Sequence, residues 1–245
     1  MAANKQDEYF IKNDSKESWG GFSEEYSSKM FSTDSWRVFR IISEFVEGFE
    51  TMSQIGPSVS IFGSARLKPA SPYYNLAIDV AQHISKKGFA VITGGGPGIM
   101  EAANKGAQSV NGASCGLGIT LPGEGAANNF IDLKYNLRFR YFFIRKVMFI
   151  RYAQGYVFLP GGVGTLDELF EALTLIQTRK IHPFPIYLIG SSYWKGLMDW
   201  LIETPLAHGC ITTDDLKLMQ ITDDPEEVAN GIERHYQRDR SERNF

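Results

Sequence analysis

The residues best suited to chemistry lie at Thr165-Leu-Asp-Glu168, directly after the turn Pro160-Gly-Gly-Val-Gly164. A glycine turn between a strand and a helix offers backbone N–H groups and a positive helix end to a phosphate. Gly161, Gly162 and Gly164 would let the backbone approach such a group closely, and a carboxylate beside it can stabilise a developing cation or activate water. Thr165 is placed to be an N-cap, and Glu168 lies three residues on, which is also the spacing of a capping box. The pattern therefore leaves Glu168 open between cap and catalyst, and Asp167 suits the helix dipole. A second glycine turn, Gly94-Gly-Gly-Pro-Gly98, departs from the G-x-G-x-x-G dinucleotide fingerprint, and no acidic residue ends the strand that follows. Its adjacent glycines cost more chain entropy than a plain turn requires. Gly94, Gly95, Gly96 and Gly98 are therefore expected to meet a ligand.

Two further segments carry polar groups in unusual settings. The stretch Leu137–Tyr152 is apolar almost all round yet holds Arg138, Arg140, Arg145, Lys146 and Arg151. A buried arginine needs a carboxylate or phosphate, so Arg145 reads either as a structural ion pair or as a ligand group. Read as a single helix over 136–152, the segment places Arg138 and Arg145 on one face with Tyr141 and Tyr152. The loop Leu121–Phe130 offers Glu124 and Asn128, either as turn residues or as contacts to a ribose or base.

Positioning these groups requires strands that end together. From Ser58 onward short apolar strands (59–63, 89–93, 114–120, 155–159, 185–189) alternate with helices (72–87, 97–110, 136–152, 165–179, 192–203). An edge strand near 216–221 and a last helix from Pro225 follow. The pattern predicts an α/β, Rossmann-like parallel sheet with helices on both faces. Both glycine turns then fall at the carboxyl ends of strands, where such sheets bind ligands. Residues 1–55 read as an N-terminal extension and 56–245 as the nucleotide-binding catalytic domain. The extension is polar and loosely ordered to about residue 30. Asp34 or Ser35 then caps an amphipathic helix, with Trp36, Phe39, Ile42, Phe45, Val46 and Phe49 on a stripe that packs on the domain or on a partner subunit.

Composition narrows the function. A chain of 245 residues, 43% hydrophobic, can bury a full core. A formal net charge of −3 argues against nonspecific nucleic-acid binding. No apolar run approaches the roughly 20 residues of a membrane span. Two cysteines, Cys115 and Cys210, read as reduced thiols of a cytoplasmic protein. The four histidines lack metal-ligand spacing, so neither a metal nor a cofactor is expected.

The segments Gly94-Gly-Gly-Pro-Gly-Ile-Met-Glu-Ala-Ala-Asn104, Arg145-Lys146 and Pro160–Glu168 resemble the signatures of the LONELY GUY family. Phe62-Gly-Ser-Ala-Arg66 and Leu173–Thr178 resemble it too, and the likeness runs from about Val59 to Glu227. Members are cytokinin riboside 5'-monophosphate phosphoribohydrolases, long mislabelled as lysine decarboxylases. The resemblance implies a homodimer or higher homo-oligomer with sites near the subunit interface. It implies hydrolysis of the N-glycosidic bond of AMP or N6-modified AMP to free base and ribose 5-phosphate. Glu168 and Arg145 match the family's catalytic residues. Lys146, Gly161 to Asp167 and Thr174 match nucleotide-binding positions. Glu168 is then expected to stabilise the oxocarbenium-like sugar, while Thr165 and the turn amides anchor the 5'-phosphate. A non-catalytic nucleotide-binding or sensing module of the same fold is the rival reading.

Overall fold

The structure is a computed structural model that describes residues 24–120 and 126–238, with side chains from residue 36 onward. Glu124 therefore lies outside the described residues. They divide into two compact units between Arg40 and Ile41. The larger carries a seven-stranded sheet in the order β4-β3-β2-β1-β5-β6-β7. The strands are β1 (Ser58–Phe62), β2 (Ala90–Thr93), β3 (Ser114–Ile119), β4 (Asn136–Phe139), β5 (Ala153–Phe158), β6 (Ile186–Leu188) and β7 (Met219–Ile221). Every pairing is parallel, as the alternation of strands and helices predicts.

The strands read as continuous apolar runs because both faces of the sheet are covered. Side-chain alternation sends Val59, Ile61 and Val91 into one core and Phe62, Ile92 and Phe158 into the other. The first core is closed by α2 (Pro72–Lys86), α3 (Ile99–Ser109) and α8 (Pro225–Arg238). The second is closed by α4 (Phe142–Tyr152), α5 (Val163–Gln177), α6 (Ser191–Leu201) and the end of α1 (Glu24–Met52). A short helix, α7 (Thr213–Leu216), precedes β7. None of the helices among the described residues is long and apolar enough to cross a membrane.

Helices α2 and α3 touch at Gly106, where a Cβ would press on the Ile78 carbonyl and lie 2.9 Å from Ala81 Cβ. Gly106→Ala should therefore lower the urea midpoint, with a loss of about 1–3 kcal/mol that the better helix propensity of alanine only partly offsets.

Three expectations need correction. The first helix begins at Glu24, about ten residues before the anticipated cap, so part of the segment expected to be loose is helical. Of its stripe, Trp36, Phe39, Ile42, Val46 and Phe49 are exposed and Phe45 is half-buried; Met52, outside the stripe, is fully buried. The expected helix over 136–152 is two elements. Asn136–Phe139 is a strand whose side chains alternate exposed and buried, paired to β3, so Arg138 and Arg145 do not share a helix face. Finally, α3 starts at Ile99 and not at Pro97, because Gly98 caps it with φ +71°.

Candidate active site

Strands β1 and β5 are neighbours in space but far apart in sequence, and this is where the strand order reverses. The chain leaves their carboxyl ends in different directions and opens a crevice. The walls are stitched by backbone hydrogen bonds: Leu159 N–H donates to Phe62 O (2.9 Å), Ser64 N–H to Pro160 O (3.0 Å) and Ile99 N–H to Ser64 O (3.0 Å). Between them lies a cavity of about 510 Å³, within the size range of small-molecule sites. Its lining brings together Gly94, Arg145, Gly162, Gly164, Thr165 and Glu168 from the sequence expectations. It adds Ser64, Arg66, Met100 and Phe149, which local pattern did not single out.

The second glycine turn keeps its amides available. Helix α5 begins at Val163, with Gly162 as an extended N-cap that makes no side-chain hydrogen bond. Thr165 is thus the third helical residue and not the cap, and the capping-box reading of Glu168 is overturned. The helix starts two residues earlier than expected, so Glu168 is its sixth residue. Gly162, Val163 and Gly164 are exposed, and N–H groups at the cap and first two helical positions have no partner within the helix.

The first glycine turn differs. Gly95 N–H donates to Thr93 Oγ1 (3.0 Å), and Asn128 Nδ2 donates to Gly95 O (3.2 Å), Gly96 O (3.1 Å) and Asn104 Oδ1 (2.9 Å). The amide that opens α3, Ile99 N–H, is taken by Ser64 O. A Cβ on Gly98 would collide with that carbonyl. The Gly95 and Ile99 amides of this turn are thus occupied inside the protein, while Gly94 lines the cavity. Its glycines permit close packing of backbone on backbone. Asn128 braces that turn. Gly94, Gly95, Gly96 and Asn128 also line a neighbouring cavity that holds Glu101 and Arg138.

Electrostatics single out Glu168. It is 4% exposed, and its Oε1 lies 3.9 Å from Arg145 Nη2. Its Oε2 and the Tyr156 hydroxyl are both buried without a hydrogen-bond partner among the described residues. Burial pushes the Glu168 carboxyl from its ordinary 4.5 up to about 7; Lys146 and Arg145 pull it back only in part. The Tyr156 phenol is also pushed well up, first by burial and then by the charges of Glu168 and Glu171. The Arg145 guanidinium lies 5.2 Å from the Phe142 ring centroid and 5.7 Å from that of Phe149, rings that fix its direction.

Adjacent helical positions point about 100° apart, so Lys146 leaves the cavity that Arg145 enters. Its ammonium bridges Asp167 (2.9 Å) and Glu171 (3.0 Å), one turn apart on α5. Burial opposes the Lys146 charge, but these two carboxylates outweigh it and raise its pKa. Thr174 sits on the same outer side, its Oγ1 donating to Phe170 O (2.7 Å). Gly161 is buried beneath Thr165. Lys146, Asp167 and Thr174 are therefore not brought to the cavity of this chain. Among the described residues no three His, Cys, Asp or Glu side chains gather into a metal-binding group.

The family model described as "Possible lysine decarboxylase" matches residues 100–232. The chain is 27% identical over 198 residues to the cytokinin riboside 5'-monophosphate phosphoribohydrolase LOG4 of Arabidopsis thaliana, covering 76% of this chain and 86% of that relative. It is 30% identical over 143 residues to the pyrimidine/purine nucleotide 5'-monophosphate nucleosidase of Escherichia coli (strain K12), covering 54% of this chain and 32% of that protein. Among solved structures it shares its fold with the molybdenum cofactor carrier protein of Chlamydomonas reinhardtii, with a TM-score of 0.52 at 18% identity over 74% of this chain and 99% of the other.

Proposed function

Because the chain belongs to the LONELY GUY family, whose sequence model carries the decarboxylase description, we propose that it hydrolyses the N-glycosidic bond of a purine nucleoside 5'-monophosphate. The products are the free base and ribose 5-phosphate, and AMP or an N6-modified AMP is the substrate. The observation that carries this reading is the buried Glu168 carboxylate in the cavity wall, 3.9 Å from Arg145 and with a pKa near neutrality. A base works best when its pKa lies near the working pH. As C1' parts from the base nitrogen the sugar becomes oxocarbenium-like, and a carboxylate at that carbon stabilises the charge and orients or deprotonates the attacking water. Arg145 holds the ribose side of the nucleotide and keeps Glu168 ionised. The open amides of Val163 and Gly164 receive the 5'-phosphate, with Arg66 at the rim as its counter-charge.

The decarboxylase description finds no support in the cavity. Pyridoxal phosphate chemistry needs a lysine at the reacting carbon. The lining contains none, and Lys146 is held by Asp167 and Glu171.

The reading includes self-association. Ile42, Val46, Phe142, Phe143 and Phe170 are large apolar side chains left exposed in the single chain. Asp167 and Thr174, at nucleotide-binding positions of the family, face away from its own cavity. Both features fit a site completed near a second copy, and light scattering should show a dimer or larger.

The direct test is incubation of pure protein with AMP and chromatography for adenine. Adenine with equimolar ribose 5-phosphate is expected; binding of AMP without release would mark a sensing module instead. Arg66→Ala should raise KM for AMP by about tenfold or more, the scale of one charge-assisted phosphate contact, and leave the affinity for adenosine, which lacks the phosphate, unchanged. Equal losses on both substrates would remove Arg66 from phosphate recognition.

A further inference from the structure

Strand β5 sends a hydroxyl into the core beneath the candidate active site. Side chains alternate along the strand, and those of Tyr156 and Phe158 enter the core closed by α4 and α5. Tyr156 is fully buried, its ring centroid 4.8 Å from that of Phe184, 5.1 Å from Phe62 and 5.8 Å from Phe158. Packing of this kind asks only for a phenylalanine. The hydroxyl is sealed from solvent and has no hydrogen-bond partner among the described residues. A buried hydroxyl in that state is costly, and such groups call for a physical reason.

Glu168 poses the same question from the other side. Its Oε1 lies 3.9 Å from Arg145 Nη2, while its Oε2 is sealed and unpartnered. Leu169 and Ala172 of α5 pack into the same core cluster as Tyr156, and the phenol is close enough to feel the charges of Glu168 and Glu171. The charged groups that face Glu168 are Arg145 and Lys146 on α4 and Asp167 and Glu171 on α5, with Arg66 on the same cavity wall. Lys146 is held by Asp167 and Glu171, and none of these groups hydrogen-bonds Oε2. Two sealed polar atoms that do not bond each other directly are satisfied together by one bridging water.

We propose that Tyr156 is a positioning residue for Glu168: its hydroxyl donates to one buried water, which donates in turn to Glu168 Oε2. Tyr156 does not line the cavity, so it acts through the carboxylate and not on a substrate. Held at Oε2, the carboxylate keeps Oε1 beside Arg145, and a donor at that oxygen favours the ionised form. The effect on turnover rests on the hydrolytic role proposed for Glu168; the contact itself does not.

The test compares Tyr156→Phe, which removes one oxygen atom and keeps the ring, with the parent, and repeats the comparison in chains carrying Glu168→Gln. Melting temperatures at pH 5 and pH 9 read the contact without any turnover. Loss of the donor should raise the Glu168 pKa above its value of about 7. A carboxyl with a raised folded-state pKa contributes stability at low pH that is lost as pH rises through that pKa, and a higher pKa makes the loss larger. For a rise of about one unit, Tyr156→Phe should fall behind the parent by about 3–5 °C more at pH 9 than at pH 5. In the Glu168→Gln background the offset should be the same at both pH values. With AMP, the acid limb of kcat/KM should move up by about one unit, so that turnover drops about tenfold at pH 6 and returns close to the parental rate at pH 9, with the loss in kcat and not in KM. The proposal is overturned if Tyr156→Phe melts at or above the parent at both pH values, as removal of an unpartnered hydroxyl would have it, or if the pH-dependent offset persists in the Glu168→Gln background. A parent that releases no adenine sinks the hydrolytic reading alone, because the melting series still decides whether Tyr156 holds Glu168.

Discussion

Glu168→Gln is expected to lower the release of adenine from AMP by roughly a thousandfold, the scale on which a positioned acid–base or charge-stabilising group acts. The substitution keeps the size and hydrogen-bonding reach of the side chain but removes the charge that the developing sugar cation needs. Nucleotide binding, which the proposed reading assigns to Arg66, Arg145 and the α5 amides, should change little, so KM should stay near its parental value. Stability should move in the other direction. The Glu168 carboxyl titrates near 7 in the folded chain against an ordinary 4.5, so the folded state binds the proton more tightly than the unfolded one. Its contribution is fully present below about pH 4.5 and is lost as pH rises through about 7. A neutral glutamine escapes that loss. At pH 8 the variant should be the more stable by up to about 3 kcal/mol, and at pH 4 the two should be alike. Melting temperatures at the two pH values check this. Parental turnover in the variant would sink the catalytic assignment. A melting temperature that fell at pH 8 would mean that the ionised carboxylate is a structural partner.

Much of this arrangement is legible in the chain, for reasons that differ from element to element. The strands β1, β2, β3 and β5 announce themselves because a sheet covered on both faces leaves no room for polar alternation. The second glycine turn is legible because its consequences are local: glycines, then a helix, then a carboxylate a turn later. Strand β4 is not, since Asn136-Leu-Arg-Phe139 is too short to show its period beside an apolar helix, and only pairing with β3 makes it a strand. The two glycine turns look equivalent in one dimension. They part in three, because Thr93, Asn128 and above all Ser64 from another loop occupy the first. In the sequence Arg66 enters only as the last residue of the Phe62–Arg66 resemblance, with no role given to it. Nothing near it in sequence says that the loop after β1 ends opposite the start of α5. The cap alternative at Glu168 was removed by where α5 begins, two residues earlier than the sequence suggests, and the catalytic one stands as the proposal.

Arg145→Ala should cost turnover on the order of a hundredfold, as expected for removal of one preorganised charge from an active site, and the loss should depend on pH. In the parent, Lys146 and Arg145 are the cations that hold the Glu168 pKa down to about 7 against burial and against the charges of Glu171 and Asp167. Without the guanidinium, the carboxyl should be protonated further into the neutral range. The acid limb of kcat/KM, expected near 7 in the parent, should then move to higher pH, and part of the lost activity should return as pH is raised toward 9. Arg145→Lys separates the two contributions. A lysine restores a positive charge and should bring the limb back toward 7, but it lacks the planar fork that Phe142 and Phe149 direct into the cavity, so KM for AMP should stay high. A pH–rate series across parent, alanine and lysine variants reads both effects at once. If all three share one acid limb, Arg145 does not set the ionisation of Glu168. If the alanine variant binds AMP as the parent does, the arginine is not a nucleotide contact, and its 3.9 Å approach to Glu168 is an ion pair of the fold.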